Sequence, residues 1–288
     1  MDERNKQEIV KEKQVVSFLG CGWLGQPLGK QLIDKGYLVK GSVTTTEKFP
    51  ELTDAGISPY WVVLNKTEAI INDPDFFKTD VLIISIPPRR IEGIEQIFPA
   101  QIRNLIPFIL KSGIQKVIFI SSTSVYPDNF QTASEDLVPT PDKESGKACL
   151  LAEQLLKDFT DFKTTILRFG GLIGAERNPA RFLLKSAPPV ANIPVNLIHQ
   201  DDCIGIISVI LEQEIWGATL NACCPDHPLK KDFYGKAARI SELPEPIFSD
   251  EVESFKIVDS SKLQRLLKYK FKYSSPMEYL DGLEASKK

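Results

Sequence analysis

Histidine, methionine and long apolar runs are scarce in this sequence, and its cysteines do not stand in metal-binding order. Two histidines and five cysteines (Cys21, Cys149, Cys203, Cys223 and Cys224), with no Cys-x-x-Cys spacing, leave no zinc or other metal site to expect. Free thiols, buried or half-buried in a reducing cytoplasm, are the expectation instead. No stretch approaches the roughly 20 apolar residues of a membrane span. Positive charge is not in excess either. A net charge of −3 supplies no basic face for nucleic acid or an anionic membrane surface. The first 13 residues mix both signs of charge and lack an apolar h-region, so a flexible, solvated arm is expected there rather than a signal peptide. Internal repeats and low-complexity linkers are also missing. At 288 residues the chain has ample volume for a core, as one large domain or up to two ordinary ones.

What is there begins with Val15-Val16-Ser17-Phe18-Leu19-Gly20-Cys21-Gly22-Trp23-Leu24-Gly25. A short, mostly apolar run reads as a buried parallel strand. It ends in Gly-x-Gly-x-x-Gly, and Leu24, Leu28, Leu32 and Ile33 then fall near helical spacing. In that context Gly20 permits the tight turn, Gly22 lets backbone approach a pyrophosphate, and Gly25 lets helix and strand pack closely. The phosphate would rest on free N–H groups at the helix N-terminus. Gly20, Gly22, Trp23, Leu24 and Gly25 are therefore candidate cofactor-binding residues.

The helix closes at Gly36, a left-handed cap, and Tyr37–Val43 reads as the second strand. An NAD enzyme usually carries Asp or Glu at this strand end, on the ribose 2′-hydroxyl. Here the strand runs into Thr44, Thr45, Thr46, Glu47 and Lys48. With no carboxylate at the strand end, Thr44, Thr45 and Lys48 favour the 2′-phosphate of NADP over NAD, although no Arg fork is present. The alternative is that the threonines cap the next helix.

Trp61–Leu64 and Asp80–Ile86 read as the third and fourth strands, the latter stopped by Pro87-Pro88 and followed by Arg89 and Arg90. A helix is expected over Pro99–Lys111, and a fifth strand over Lys116–Ile120 that empties into Ser121-Ser122-Thr123-Ser124-Val125-Tyr126. A helix over about Ser145–Phe159 precedes the sixth strand, Thr164–Phe169, and Gly170-Gly171. This rhythm predicts an α/β fold with a doubly wound parallel sheet. Ligands of such sheets bind at the carboxyl ends of the strands. Ser85, Ile86, Pro87, Ser121, Phe169, Gly170 and Gly171 stand at such ends and are further candidate cofactor contacts. The pattern loosens over 175–195, with Arg177, Arg181, Lys185 and prolines at 179, 188, 189 and 194. Asn196–Leu211 restores strand then helix, with Asp201 or Asp202 expected as N-cap, and Asn221 closes another short strand.

By the glycine turn, the run Ser121–Tyr126, the segment Leu167–Gly174 and the stretch Asn196–Asp202, the chain resembles the extended short-chain dehydrogenase/reductase superfamily, in its nucleotide-sugar epimerase/dehydratase group. These pieces stand in the family's order from about 14 to 225. The resemblance implies an NAD(P)-binding Rossmann domain over 14–174 and 196–225. A small α/β substrate cap would then cover 175–195 and 226–288. It also implies a small-molecule substrate, polar or sugar-derived, and a homodimer through the helices flanking the active-site loop.

The family's chemistry uses a Tyr-x-x-x-Lys pair on one helix face, and a Glu four residues after the lysine. Aligning that Glu with Glu153 puts Cys149 at the lysine position and Ser145 at the tyrosine position. None of the seven tyrosines is followed four residues later by lysine. Ser122 matches the family's Ser/Thr position, and Tyr126 is placed to reach the site from its loop. The resemblance is thus to an atypical subgroup, with Ser122, Tyr126, Ser145 and Cys149 as the catalytic candidates. Two functions follow: an NADP-dependent oxidoreductase or epimerase, or a cofactor-binding sensor or scaffold without turnover. A hydrolase built on His199 with Asp201 or Asp202 would lack the Gly-x-Ser-x-Gly elbow.

Overall fold

The computed structural model describes residues 13–183 and 189–287. Residues 1–12 of the arm expected over 1–13, together with Lys185 and Pro188, lie outside the described residues. In chain order the first elements are β1 (Val15–Leu19), α1 (Gly25–Asp34), β2 (Leu38–Val43), α2 (Phe49–Asp54), β3 (Ser58–Leu64), β4 (Ala69–Ile71) and β5 (Val81–Ile84). Next come α3 (Ile94–Lys111), β6 (Lys116–Ser122), β7 (Gln131–Ala133), α4 (Glu144–Lys157), β8 (Lys163–Phe169), β9 (Gly171–Ile173) and β10 (Val190–Ala191). The last are β11 (Leu197–His199), α5 (Gln200–Gln213), β12 (Thr219–Ala222), α6 (Lys230–Ile240), β13 (Phe248–Ser249), β14 (Lys256–Val258), α7 (Ser261–Leu267) and α8 (Pro276–Ala285).

Eight strands form one sheet in the order β12-β8-β6-β5-β1-β2-β3-β4. Every pairing is parallel except β3 with β4. The expected doubly wound α/β architecture is therefore present, with one short antiparallel edge strand added. Apolar strands suit this position because both faces are covered. Val16 and Phe18 of β1 pack with Leu28 and Leu32 of α1, and with Ile206, Ile207 and Ile210 of α5. Leu82 and Ile84 of β5 pack on the other side with Ile102, Leu105 and Ile109 of α3, and with Ala152 and Leu156 of α4. A third apolar cluster joins Phe233 and Ala237 of α6 to Leu280 of α8 and to Ile173 and Leu197.

The strand order reverses between β1 and β5, which opens a crevice at their carboxyl ends. Three two-stranded pairings surround that edge: β9 with β11, β7 with β14, and β10 with β13. Each is two or three residues long and joins distant segments, so no alternation in the sequence marks it.

Several expected boundaries shift: β3 starts at Ser58 rather than Trp61, β5 ends at Ile84 rather than Ile86, and β6 runs on to Ser122 rather than Ile120. Helix α3 starts at Ile94, not Pro99, because Ile94 and Phe98 bury an extra turn that Pro99 alone would have opened. The N-cap of α5 is His199 rather than either aspartate: its Nδ1 accepts the Asp201 N–H at 3.1 Å. Asp202 instead accepts N–H groups of Lys272 and Tyr273 and the Tyr269 hydroxyl, at 2.6, 3.2 and 3.0 Å, tying the C-terminal segment to α5.

All five cysteines are free and buried. Burial pushes the Cys21, Cys149 and Cys224 thiols up to about 12, and those of Cys203 and Cys223 well above the ordinary value. An unfolded thiol ionises near pH 8.5, so above that pH the unfolded chain loses protons that the folded chain keeps. Stability is therefore full below about pH 8.5 and falls as pH rises, by up to about 1.4 kcal/mol per pH unit for each thiol. Denaturant melts from pH 7 to 10 should show this decline. A thiol-specific disulfide reagent should label none of the five in the native protein and all five after denaturation.

Candidate functional site

Backbone close to the sheet edge builds the crevice. Ser42, at the end of β2, holds the glycine turn twice: its Oγ accepts the Gly20 N–H at 3.0 Å, and its carbonyl accepts the Cys21 N–H at 2.8 Å. Gly20 has φ +89°, and a Cβ there would lie 2.8 Å from Ile86 Cγ2 and 2.9 Å from the Ser85 oxygen. The turn after β1 and the Ser85-Ile86 stretch after β5 thus touch. A Cβ on Gly22 would meet nothing within 4 Å. Helix α1 begins three residues on at Gly25, and a helix leaves its leading N–H groups unpaired. The Gly22 N–H closes the turn on the Gly20 carbonyl at 3.0 Å, and the residues present fit a dinucleotide pyrophosphate: Trp23, Leu24 and Gly25 would offer it backbone N–H groups past the bare Gly22, with the Leu24 side chain buried beneath.

Beside the turn lies a cleft of about 350 Å³ whose lining includes Trp23, Lys30, Lys48, Glu51, Ala175 and Gln200. Thr44, Thr45 and Lys48 are exposed at the end of β2. The Thr45 side chain makes no cap hydrogen bond to the short helix that follows, so capping does not account for it. Ser42 and Gln200 were not singled out by the sequence. Gln200 donates from Nε2 to the Trp23 carbonyl at 2.6 Å, and no local pattern marks either residue.

On the other side of β5, β6 delivers Ser121 and Ser122 in register with Arg168 and Phe169 of β8. The Ser121 hydroxyl donates to Glu153 Oε1 at 2.6 Å and is buried. Ser122 is half-buried, and its Oγ accepts the Ser124 N–H at 3.1 Å. Its own proton is left to donate outward. Glu153 and Arg168 form a buried ion pair at 2.6 Å. Burial alone would lower the Arg168 pKa, but the hydrogen bonds and charge of Glu153 outweigh it and hold the guanidinium charged.

Tyr126 belongs to that network and not to the crevice. Its ring is buried, its hydroxyl accepts from Arg168 Nη1 at 2.6 Å and donates to Asn221 Oδ1 at 2.9 Å. Burial raises its pKa despite the opposing Arg168 charge. The expectation that Tyr126 reaches the site from its loop is not met by this geometry. Cys149 is sealed in the same wall, next to Val125 and Tyr126. Burial first, and then the Glu153 charge, take its thiol to about 12, which removes it as an acid, base or nucleophile at neutral pH.

Ser145 lies half-buried in the first turn of α4, the helix brought against the Ser122–Val125 turn. Gly146 permits that approach, since a Cβ there would run into the Ser124 carbonyl oxygen. Lys143 and Lys147 do not replace the missing lysine: they pair with Asp128 at 3.4 Å and Glu95 at 3.7 Å. Phe169 is buried, and Gly170 and Gly171 lie against the Asn196 carbonyl, the Gly171 N–H donating to it at 2.8 Å. Arg89 and Arg90 are exposed. His199 is buried between Tyr273 and Tyr279, and burial lowers its pKa, so it caps a helix as a neutral imidazole. Among the described residues no His/Cys/Asp/Glu group is arranged for a metal, and no helix is long and apolar enough to cross a membrane.

Gly22→Val should fold with an unchanged melting temperature yet lose about tenfold or more in NAD(P)H affinity, because its side chain enters the cradle rather than the core. Gly20→Ala should cost stability, about 1–3 kcal/mol, through its positive φ and the contact with β5. Arg168→Met should cost about 3–5 kcal/mol by stranding the Glu153 charge. Thermal and denaturant melts, with a fluorescence titration of the cofactor, check all three.

The sequence model of the NAD dependent epimerase/dehydratase family matches residues 20–193. Protein YeeZ of Escherichia coli (strain K12) is 32% identical over 268 residues, covering 91% of this chain and 97% of YeeZ. Among solved structures, a functionally unknown conserved protein of Silicibacter pomeroyi DSS superposes with TM-score 0.77 at 19% identity, covering 95% of this chain and 99% of that one. MoeE5, solved with UDP-glucose and NAD, gives TM-score 0.74 at 17% identity, covering 94% and 97%. With a matching glycine cradle at the reversal point of its sheet, this chain belongs to the NAD-dependent epimerase/dehydratase family.

Proposed function

We propose that this protein binds NADP(H) along the crevice and acts on a small polar, sugar-derived substrate as a reductase or epimerase. The observation that carries this reading is a pair of features on one sheet edge: the open cradle at Gly22, and the half-buried Ser122 hydroxyl on β6, two strands from β1. Two strand spacings are about 10 Å, a reach suited to a dinucleotide running from the cradle toward Ser122. Ser85, Ile86, Pro87, Phe169, Gly170 and Gly171 line the way between or beyond these points. The cap formed by 175–195 and 226–288 is the expected seat of the substrate.

Exposed hydroxyls at Thr44 and Thr45, with Lys48 beside them and no carboxylate closing β2, support NADP over NAD; in the adjoining cleft Lys30 and Lys48 stand with Glu51 and Glu176. The cofactor, when bound, supplies or accepts the hydride. Ser122 would donate its hydroxyl hydrogen to the reacting substrate oxygen, since its lone pair already holds the Ser124 N–H. Ser145 would help hold a water that carries the proton, because Tyr126 and Cys149 are sealed in the wall. Without a positioned acid or base, turnover should be about 10²–10⁴-fold slower than in a relative that has one. Five free buried thiols support a reducing, cytoplasmic setting. A second copy as partner is part of this reading, through α3 and α4, which leave Leu110 and Leu151 exposed.

The same sealed wall favours a second reading, a cofactor-binding sensor or scaffold without turnover. Titration with NADPH and NADH, followed by hydride consumption against aldehydes, ketones and nucleotide sugars, separates the two. The expected result is tighter binding of NADPH, a preference that shrinks in Lys48→Ala, and slow turnover abolished in Ser122→Ala. Binding without turnover across the whole panel selects the sensor. Failure to bind either cofactor at millimolar concentration contradicts both readings.

A further inference from the structure

The glycine turn has a second lip. After β9 the chain makes a tight strap over Gly174–Arg177, closed by the Arg177 N–H on the Gly174 carbonyl at 3.1 Å, with Glu176 at φ +64°. Trp23, in the middle of the glycine turn, is bonded to this strap. Its indole Nε1–H donates to the Ala175 carbonyl at 2.6 Å, and the Arg177 guanidinium stacks on its ring with Cζ 4.3 Å from the ring centre. Gln200 fixes the Trp23 carbonyl from a third side.

Arg177 is unusually placed for a packing residue. Arg177 is exposed as a residue, yet its stacking on Trp23 covers one face of the guanidinium, and that partial desolvation lowers its pKa. The buried guanidinium of Arg168, by contrast, is matched by Glu153. Arg177, among the described residues, has neither a carboxylate within ion-pair distance nor a side-chain hydrogen bond. A guanidinium carries five donors, and those of Arg177 meet no protein acceptor among the described residues. Stacking occupies its face and leaves the N–H edge free, the arrangement in which arginine grips phosphate in bidentate fashion. The ring that holds it belongs to the residue whose neighbours open α1.

We propose that Arg177 is a phosphate ligand: its N–H edge closes on a phosphate group seated at the glycine turn, from the lip opposite α1. The proposal rests on the cofactor reading above for the most direct source of that phosphate, the dinucleotide pyrophosphate. A nucleotide-sugar substrate carries the same chemistry and is the other source. Through Asn178, whose Nδ2 donates to Ser241 Oγ at 3.0 Å beyond α6, the strap also joins the cradle to the C-terminal elements.

The test is an equilibrium titration of wild type, Arg177→Met and Arg177→Gln with NADPH, NADH and UDP-glucose, at low and high salt. Adenosine serves as the phosphate-free control. Met retains the apolar stem over the indole, and Gln retains a planar group, so at least one variant should melt with the wild type. The expected result is a loss of about tenfold or more for NADPH and NADH alike, with a shallower salt dependence and adenosine unchanged. A loss confined to UDP-glucose still supports a phosphate ligand and assigns the phosphate to the substrate. Wild-type affinities for all three phosphate-bearing ligands in a folded variant would overturn the proposal. If wild type binds no dinucleotide but UDP-glucose affinity falls in the variants, the cofactor reading fails and this one stands. If wild type binds none of the three, both fail.

Discussion

No side chain fits between Gly20 and the end of β5. That contact, 2.8 Å and 2.9 Å for a Cβ that is not there, sets the distance between the turn after β1 and the strand across the reversal point. Ser42 holds the same turn from the β2 side, so the loop is fixed from both neighbours. With the turn pinned, α1 begins at Gly25 with its leading N–H groups unpaired, and Gly22 presents bare backbone to the crevice. The cleft beside Trp23 and the reach toward Ser122 both follow from this anchoring.

The wall opposite the cradle obeys a different constraint. Charge buried behind β6 and β8 must be paired, and Glu153 with Arg168 pairs it. Ser121, Tyr126 and Asn221 complete the hydrogen bonding, and Cys149 packs against them without charge. This wall is rigid and fully committed, and a proton relay needs groups that are not. In the proposed reading, binding and reaction are thereby separated: the cradle is open, while the reactive side would rest on the Ser122 and Ser145 hydroxyls and water.

The central strands were legible because buried parallel strands are short apolar runs between turn residues, as in Val15–Leu19 and Val81–Ile84. The cradle was legible because its three glycines fall between such a strand and an amphipathic helix. Tyr126 departs from expectation because its loop position suggests reach, whereas its burial depends on Arg168 and Asn221, far away in the chain. His199 likewise took the capping role that Asp201 and Asp202 fit better by residue type. The strap at Gly174–Arg177 carries no periodicity at all. Its meaning comes from Trp23, more than 150 positions earlier by the separation of the bonded pair, and only the fold brings them together.

The central claim is that a dinucleotide lies along the carboxyl edge with its pyrophosphate on the glycine turn. The crystal structure of the protein grown with NADP+ tests it most directly. The pyrophosphate should lie against the N–H groups of Trp23–Gly25, with the 2′-phosphate toward Thr44, Thr45 and Lys48 and the nicotinamide near Ser122. A cofactor bound elsewhere, or a crevice that stays empty at saturating NADP+, would contradict it.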